Sequence, residues 1–428
     1  MFYTLFFHKL KKYTYIYIKL GGNCMRRKMY VCFILFLIII LSNTLSMGTY
    51  LTIPVWSDSY EPTSNMDADK GNFLELDCGS AILIEQNTGE VLYKHNEHEK
   101  LRPASVTKVM TILLIMESIA NGTLKYEDKI PCSEHAASMG GSQIWLDTNE
   151  ELTVDEMLKA ICVVSANDCT VAMAEKIGGS EENFVNMMNE KAKNLGMNDT
   201  TFKNCHGIDE DGHVTSAYDI ALMSKELLVN YPEITNYTTI YMDTLRGGES
   251  ELVNTNKLVR NYAGATGLKT GSTSLALFNL SASATKEGLS LIGVIMKAPT
   301  SKERFSCARK LLDYGFSNYK YETLANENDF VKEVYVQKGT KDKVNLVYDR
   351  SVGKMTKKNE TDNIDTVVEI KEEVIAPVNK GEVIGKVKFV RGDETIGEVN
   401  LIAEAEVKKQ SFGNMVIEVY KKWFNLMR

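Results

Sequence analysis

Three short polar motifs occur in a fixed order along the chain: Pro-Ala-Ser105-Val-Thr-Lys108, Ser165-Ala-Asn167 and Gly-Leu-Lys269-Thr270-Gly271. Ser165 lies 60 residues after Ser105, and Lys269 a further 104. The pattern Ser-x-x-Lys is weak alone, since it recurs at Ser283 to Lys286 and at Ser351 to Lys354. Ser-Ala-Asn and Lys-Thr-Gly each occur once, so the first Ser-x-x-Lys is the one that precedes both partners in order. If the three motifs meet, the spacings leave room for a helical region between them and for a strand that returns beside the first helix.

Each motif carries residue types that suit one chemistry. A serine hydroxyl is a poor nucleophile until a base stands within hydrogen-bond reach. With a helix opening near Ser105, positions i and i+3 share a face, so the Lys108 amine can lie over the Ser105 hydroxyl. Pro103 suits the segment at a helix start. The run Val109, Met110, Ile112, Leu113, Leu114, Met116 is apolar nearly all round and marks a buried helix. Burial beside another cation lowers an amine's proton affinity, which lets it serve as a base at neutral pH; Lys269 is the candidate second cation. Ser165 and Asn167 follow the apolar run Ile161-Cys-Val-Val and need hydrogen-bond partners there. Lys269-Thr270-Gly271 precedes the alternating stretch Leu277 to Ala284, a strand pattern that places the motif at one end of a hairpin. These features point to serine acyl transfer.

The trio resembles the motif set of penicillin-binding proteins and serine β-lactamases. Gly79-Ser-Ala-Ile-Leu-Ile-Glu-Gln-Asn-Thr-Gly-Glu-Val-Leu-Tyr93 with Leu101-Arg-Pro-Ala-Ser105, Asn204-Cys-His-Gly-Ile-Asp209, Thr215-Ser-Ala-Tyr-Asp219 and Asn254-Thr-Asn-Lys257 narrow it. They are similar to low-molecular-mass penicillin-binding proteins that are D-alanyl-D-alanine carboxypeptidases. The resemblance implies an α/β (α+β) catalytic domain of the serine β-lactamase/DD-peptidase type with a helical insertion, at residues 76–320. It implies that Ser105 attacks the carbonyl between the two terminal D-alanines of a peptidoglycan stem peptide and that Lys108 takes its proton. Ser165 would pass a proton to the departing D-alanine, and Asn167 would hold the peptide and Lys108. Lys269 and Thr270 would bind the terminal carboxylate, Gly271 would belong to the same substrate-binding set, and the backbone N–H groups of Ser105 and Ser272 would form the oxyanion hole. β-Lactam antibiotics would be covalent inhibitors, with no cofactor and no metal. A β-lactamase and a catalytically weak penicillin-binding scaffold are the alternatives; the nearest match to a deacylating Glu-x-x-Leu-Asn loop is Glu226 to Asn230, which reads as a helix end.

Periodicity fills in the rest. A hairpin is expected around Asn87-Thr-Gly-Glu, helices over Val154 to Ala174, Glu182 to Leu195, Ala217 to Leu228 and Glu303 to Tyr314, and strands over 266–297. Residues 328–407 alternate in short runs punctuated by Gly and charge, the pattern of a small C-terminal antiparallel β domain. Residues 1–48 read as a signal segment whose start could be Met25, with a basic stretch ahead of an apolar run, and 49–75 as a flexible lead-in. Those first 48 residues hold seven Lys or Arg and no acid, leaving 42 basic against 56 acidic side chains, a balance that argues against nucleic-acid binding. Residues 408–428 read as an amphipathic helix, with Phe412, Val416, Val419, Trp423 and Met427 on one face. Five basic residues against Glu418 suit it to an anionic membrane surface. The expected location is extracytoplasmic, at the outer face of the cytoplasmic membrane or in the wall. Cys78, Cys132, Cys162, Cys169, Cys205 and Cys307 show no metal-ligand spacing. Cys162 and Cys169 would lie about 10 Å apart on a continuous helix, too far to bridge. His206 and His213 beside Asp209 and Asp211 read as a polar loop.

Overall fold

The computed structural model describes residues 72–411 apart from 360–362 and 393, together with 413, 416, 417, 420 and 423. The expected signal segment, the lead-in up to residue 71 and most of the expected terminal helix lie outside the described residues. Residues 72–75 are docked: Asn72 Oδ1 accepts hydrogen bonds from Leu76 N at 2.8 Å and from Tyr93 OH at 2.9 Å, and Phe73 packs edge-on against Tyr93.

The N-terminal part of the described residues is built on one antiparallel sheet. Its strands β1 (Ser80–Glu85), β2 (Val91–His95), β3 (Ala265–Thr273), β4 (Leu277–Lys286) and β5 (Leu289–Ala298) run in the order β2-β1-β5-β4-β3. Every residue of β1 is buried, so its interior, Ala81 to Ile84, is apolar without alternation between the polar ends Ser80 and Glu85. The two faces feed different cores. Ile82, Ile84, Ile292 and Val294 join the helices on one side, while Ala81, Leu83, Leu291 and Ile295 meet Leu311 and Leu312 on the other. That split follows the period of two along a strand.

Between β2 and β3 the chain forms α1 (Lys108–Ala120), α2 (Val154–Val163), α3 (Asn167–Gly178), α4 (Glu181–Asn194) and α5 (Ala217–Asn230). After β5, α6 (Ser301–Asn318) covers the opposite face. Residues Lys108 to Met116 of α1 are all buried, which is why its sequence is apolar on every side. A 3-10 turn, Ala104–Thr107, leads into α1 and carries Ser105. The single helix expected over Val154 to Ala174 is two helices. Apolar periodicity continues through the junction, but Ser165 adopts φ +67 and ends α2. Tertiary hydrogen bonds hold the break: Ala166 N donates to Ala160 O at 3.3 Å, and Asn167 N to Ser142 O at 2.7 Å. The broken helix also removes the premise for the Cys162 to Cys169 separation; all six described cysteines are free thiols.

The C-terminal part is an antiparallel β domain with its own core. Strands β6 (Tyr319–Ala325) and β9 (Val352–Lys357) pair as a ribbon. Strands β7 (Phe330–Tyr335), β8 (Lys343–Tyr348), β10 (Asp365–Ile370), β11 (Val383–Arg391) and β12 (Glu394–Ala403) form a sheet in the order β7-β8-β12-β11-β10. Leu346, Val387, Phe389, Val399 and Leu401 fill its centre.

The start of α2 fixes where Ser165 emerges at its end. Thr153 Oγ1 accepts from Glu156 N, and Glu156 Oε2 accepts from Thr153 N at 2.9 Å, a reciprocal cap on two helix-end donors. Thr153→Ala is expected to cost about 1 kcal/mol and to lower the thermal midpoint of this part of the chain by about 2–4 °C, measured by differential scanning calorimetry.

Candidate active site

All three motifs meet at the N-terminus of α1. Ser105 is half-buried on the 3-10 turn, and Lys108, one turn on, is fully buried. Lys108 Nζ donates to Asn167 Oδ1 and to the His206 carbonyl oxygen, each at 2.6 Å, and stands 3.1 Å from Ser105 Oγ. The i, i+3 relation expected of a helix survives in the tighter 3-10 turn. The Asn167 amide cannot swing away: its Nδ2 donates to Gly140 O at 2.7 Å, which turns Oδ1 toward the lysine. Asp168, buried beside it, accepts from Ile144 N and Leu146 N and so anchors the loop that supplies Gly140 and Ser142.

Ser165 is buried, and its Oγ has no hydrogen-bond partner. A buried hydroxyl without a partner is uncommon in a folded protein. On the third wall, Lys269 is buried and its Nζ donates to Thr270 O at 3.1 Å, while Thr270 Oγ1 shares a hydrogen bond with Thr255 Oγ1 at 2.8 Å. Gly271 shows why this motif ends in glycine. A Cβ there would lie 2.9 Å from Ser105 N, 2.8 Å from Val106 N and 2.7 Å from Pro103 O, so β3 rests directly on the turn that carries Ser105. Ser272 is exposed. Gly207 closes the other flank at φ +90; a Cβ there would come within 2.0 Å of Ala104 O.

The electrostatics follow from two buried amines in one pocket. Burial first, and then the neighbouring Lys269 charge, hold Lys108 well below the ordinary lysine range, against opposing pulls from Cys205 and Asp168. Burial pushes Lys269 down to about 7, with Arg304 adding to the effect and Cys162 opposing it. Among the described residues neither lysine has a carboxylate ion-pair partner. Both shifts favour the neutral amine, and the charge of one lysine opposes that of the other. Burial likewise pushes His206 and His213 down to about 4, so both are neutral. His213 Nε2 shares a hydrogen bond with Thr107 Oγ1 at 2.8 Å and steadies the turn.

The Ser-x-x-Lys matches at Ser283 and Ser351 lie elsewhere. Ser283 is fully buried within β4 and accepts from Thr266 Oγ1, and Ser351 belongs to the C-terminal domain and accepts from Glu327 N. Glu226 lies inside α5 and pairs with Lys191 at 3.2 Å, so it is not a deacylating carboxylate on a loop. Several participants escaped the motif reading. The His206 carbonyl has no side-chain signature, although the Asn204 to Asp209 stretch marks its place. Arg304, 6% exposed, donates to Gly271 O and Asn279 O at 3.2 Å and so supports β3 from behind. Asp168, next to Asn167, could have been found as an acidic residue in an apolar helix.

Known proteins resemble this chain over most of its length. The family profile described as D-alanyl-D-alanine carboxypeptidase matches residues 65–300, and the penicillin-binding protein 5 C-terminal domain profile matches 319–409. The D-alanyl-D-alanine carboxypeptidase DacF of Bacillus subtilis strain 168 is 44% identical over 364 residues, covering 84% of this chain and 93% of that protein. The crystal structure of penicillin-binding protein 5 from Haemophilus influenzae superposes with a TM-score of 0.61 at 30% identity, covering 78% of this chain and 98% of that one. Penicillin-binding protein D2 from Listeria monocytogenes, solved in its ampicillin-bound form, gives a TM-score of 0.53 at 30% identity over 57% of this chain and 99% of that one. With its motifs gathered at one turn and both of its halves matched, this chain belongs to the D-alanyl-D-alanine carboxypeptidase family.

Proposed function

We propose that Ser105, Lys108 and Ser165 remove the terminal D-alanine from peptidoglycan stem peptides through an acyl-enzyme, and that penicillins acylate the same serine. The observation that carries this reading is the contact set of Lys108. A neutral amine has two N–H donors and one lone pair. The two 2.6 Å contacts go to carbonyl oxygens, which only accept, and the third partner is a hydroxyl, which can donate. The lone pair therefore faces the Ser105 proton.

The steps follow from that arrangement. Ser105 Oγ bonds to the carbonyl carbon between the two D-alanines as its proton moves to Lys108 Nζ. The oxyanion faces the Ser105 and Ser272 backbone N–H groups, a type of contact worth about 2.7–4 kcal/mol per donor in another serine hydrolase. Ser165 Oγ gives its proton to the leaving nitrogen and is reprotonated from Lys108, the C–N bond breaks, and D-alanine departs. Water then loses a proton to Lys108 as its oxygen attacks the ester, and the shortened peptide leaves with Ser105 restored. Lys269 and Thr270 hold the substrate's carboxylate, which supplies the counter-charge that Lys269 lacks. A penicillin follows the first steps, but its leaving nitrogen stays tethered to the acyl group.

We read residues 76–320 as the catalytic domain and 328–407 as a β domain that holds it away from the membrane. No helix among the described residues is long and apolar enough to cross a membrane. Membrane contact falls to 408–428, of which Val416, Ile417, Tyr420 and Trp423 are exposed. Deleting 408–428 is expected to release the protein from anionic vesicles in a cosedimentation assay while leaving hydrolysis of a soluble peptide unchanged.

Ser105→Ala is expected to abolish labelling by a fluorescent penicillin with the fold intact by circular dichroism, whereas Ser283→Ala and Ser351→Ala keep it. Persistent labelling of Ser105→Ala would sink the assignment. The two lysines give opposite limbs of a pH profile. Base catalysis needs neutral Lys108 and fails as pH falls through its lowered pKa; carboxylate binding needs cationic Lys269 and fails as pH rises past about 7. The kcat/KM for a peptide ending in D-Ala-D-Ala, followed between about pH 5 and 10, is therefore bell-shaped. Lys269→Arg moves the alkaline limb upward because a guanidinium stays charged, and Lys108→Arg nearly stops acylation for the same reason. An unmoved alkaline limb in Lys269→Arg would reassign that titration.

A further inference from the structure

Two thiols that the reaction above does not use lie against each other on the α6 side of the sheet. Cys78, in the segment that leads into β1, and Cys307, on the second turn of α6, stand within hydrogen-bond reach of one another. Both belong to the apolar core beneath α6. Two further contacts hold the same segment to the helix: Cys307 Sγ donates to Asp77 O at 3.6 Å, and Lys310 Nζ donates to Glu75 O at 3.4 Å. Arg304, three residues before Cys307, is the side chain that supports Gly271 and Asn279, so the pair sits on the helix that props β3.

The surroundings leave this pair one choice of partner. The remaining described cysteines, Cys132, Cys162, Cys169 and Cys205, lie in the core on the opposite face of the sheet. Cys307 is 2% exposed, whereas Cys78 is half-buried and open to a molecule arriving from solvent. A disulfide bond is about 2.05 Å long, so thiols already in contact need only a short approach, and Cys78 belongs to no helix or strand that would resist it. The two residues lie 229 apart in sequence, and a cross-link over a long loop restrains the unfolded chain most. The extracytoplasmic location expected for this chain is a compartment in which disulfides form and persist.

We propose that Cys78 and Cys307 are a redox site that closes into a disulfide and staples residues 72–78 to α6. The oxidant is an external disulfide, RSSR. The Cys78 thiolate bonds to one of its sulfurs and releases RS−; the Cys307 thiolate then bonds to the Cys78 sulfur and releases the second RS−. Two electrons pass to RSSR, and the two protein thiol protons end on two molecules of RSH.

The test treats the full chain with glutathione disulfide, blocks the remaining thiols with N-ethylmaleimide in denaturant and maps the non-reduced tryptic peptides by mass spectrometry. The expected product is a peptide pair joining Cys78 to Cys307, two hydrogens lighter than the separate peptides and parted by dithiothreitol. In scanning calorimetry the oxidised protein unfolds about 4–10 °C above the reduced one, whereas Cys78→Ala, treated alike, keeps the midpoint of its reduced form. Maleimide on both cysteines, or glutathione left on Cys78 with maleimide on Cys307, overturns the proposal. A linked pair whose midpoint does not rise, or an equal rise in Cys78→Ala, overturns the staple.

Discussion

A lysine amine sealed from water without a counter-ion is the constraint on which the site depends. Keeping a cation at the Lys108 position would cost several kcal/mol in lost hydration, with no carboxylate paired to it among the described residues and only a weaker pull from Asp168 to offset it. Giving up the proton avoids that cost and leaves a base beside a hydroxyl. The neighbouring amine, Lys269, strengthens the effect, and in the proposed function its own charge is matched by an anion that the substrate brings. One element of physics, desolvation of two amines in a shared pocket, thus underlies both of the roles proposed for them.

The surrounding fold exists to hold that amine still. Its three partners come from the turn before α1, the start of α3 and the loop at His206, and each arrives by a conformation that carries strain or close contact. Ala104 and Ser165 adopt left-handed backbones at φ +49 and +67, each costing roughly 1–2 kcal/mol for a residue with a side chain. Gly207 and Gly271 approach the Ser105 turn so closely that no Cβ fits. The buried cluster that packs α1 against α2, α3 and α5 offsets these costs and keeps the turn in one arrangement.

Legibility in the sequence tracked side-chain chemistry. Ser105, Lys108, Ser165, Asn167, Lys269 and Thr270 announce themselves because few other residue types could do their work, and the structure brings them together. Burial made the elements legible in two ways: half-buried strands alternate, while the fully buried α1 and the interior of β1 are apolar throughout. The break between α2 and α3 was not, since the apolar pattern runs straight through it and the interruption is held by bonds to the distant Ser142. The His206 carbonyl was invisible for a different reason: every residue has a carbonyl, and only the tertiary fold aims this one. Arg304 reads in sequence as one charge on an amphipathic helix, yet it is buried under β3.

The charge state of Lys108 can be observed without turnover. In Ser105→Ala protein labelled with 13C at lysine Cε, the Lys108 resonance is identified by its loss in Lys108→Met and followed against pH. A midpoint well below the roughly 10.4 of free lysine, rising when Lys269→Met removes the neighbouring charge, is the expected result. A Lys108 resonance that titrates like free lysine would mean that the amine is charged at neutral pH and cannot be the base.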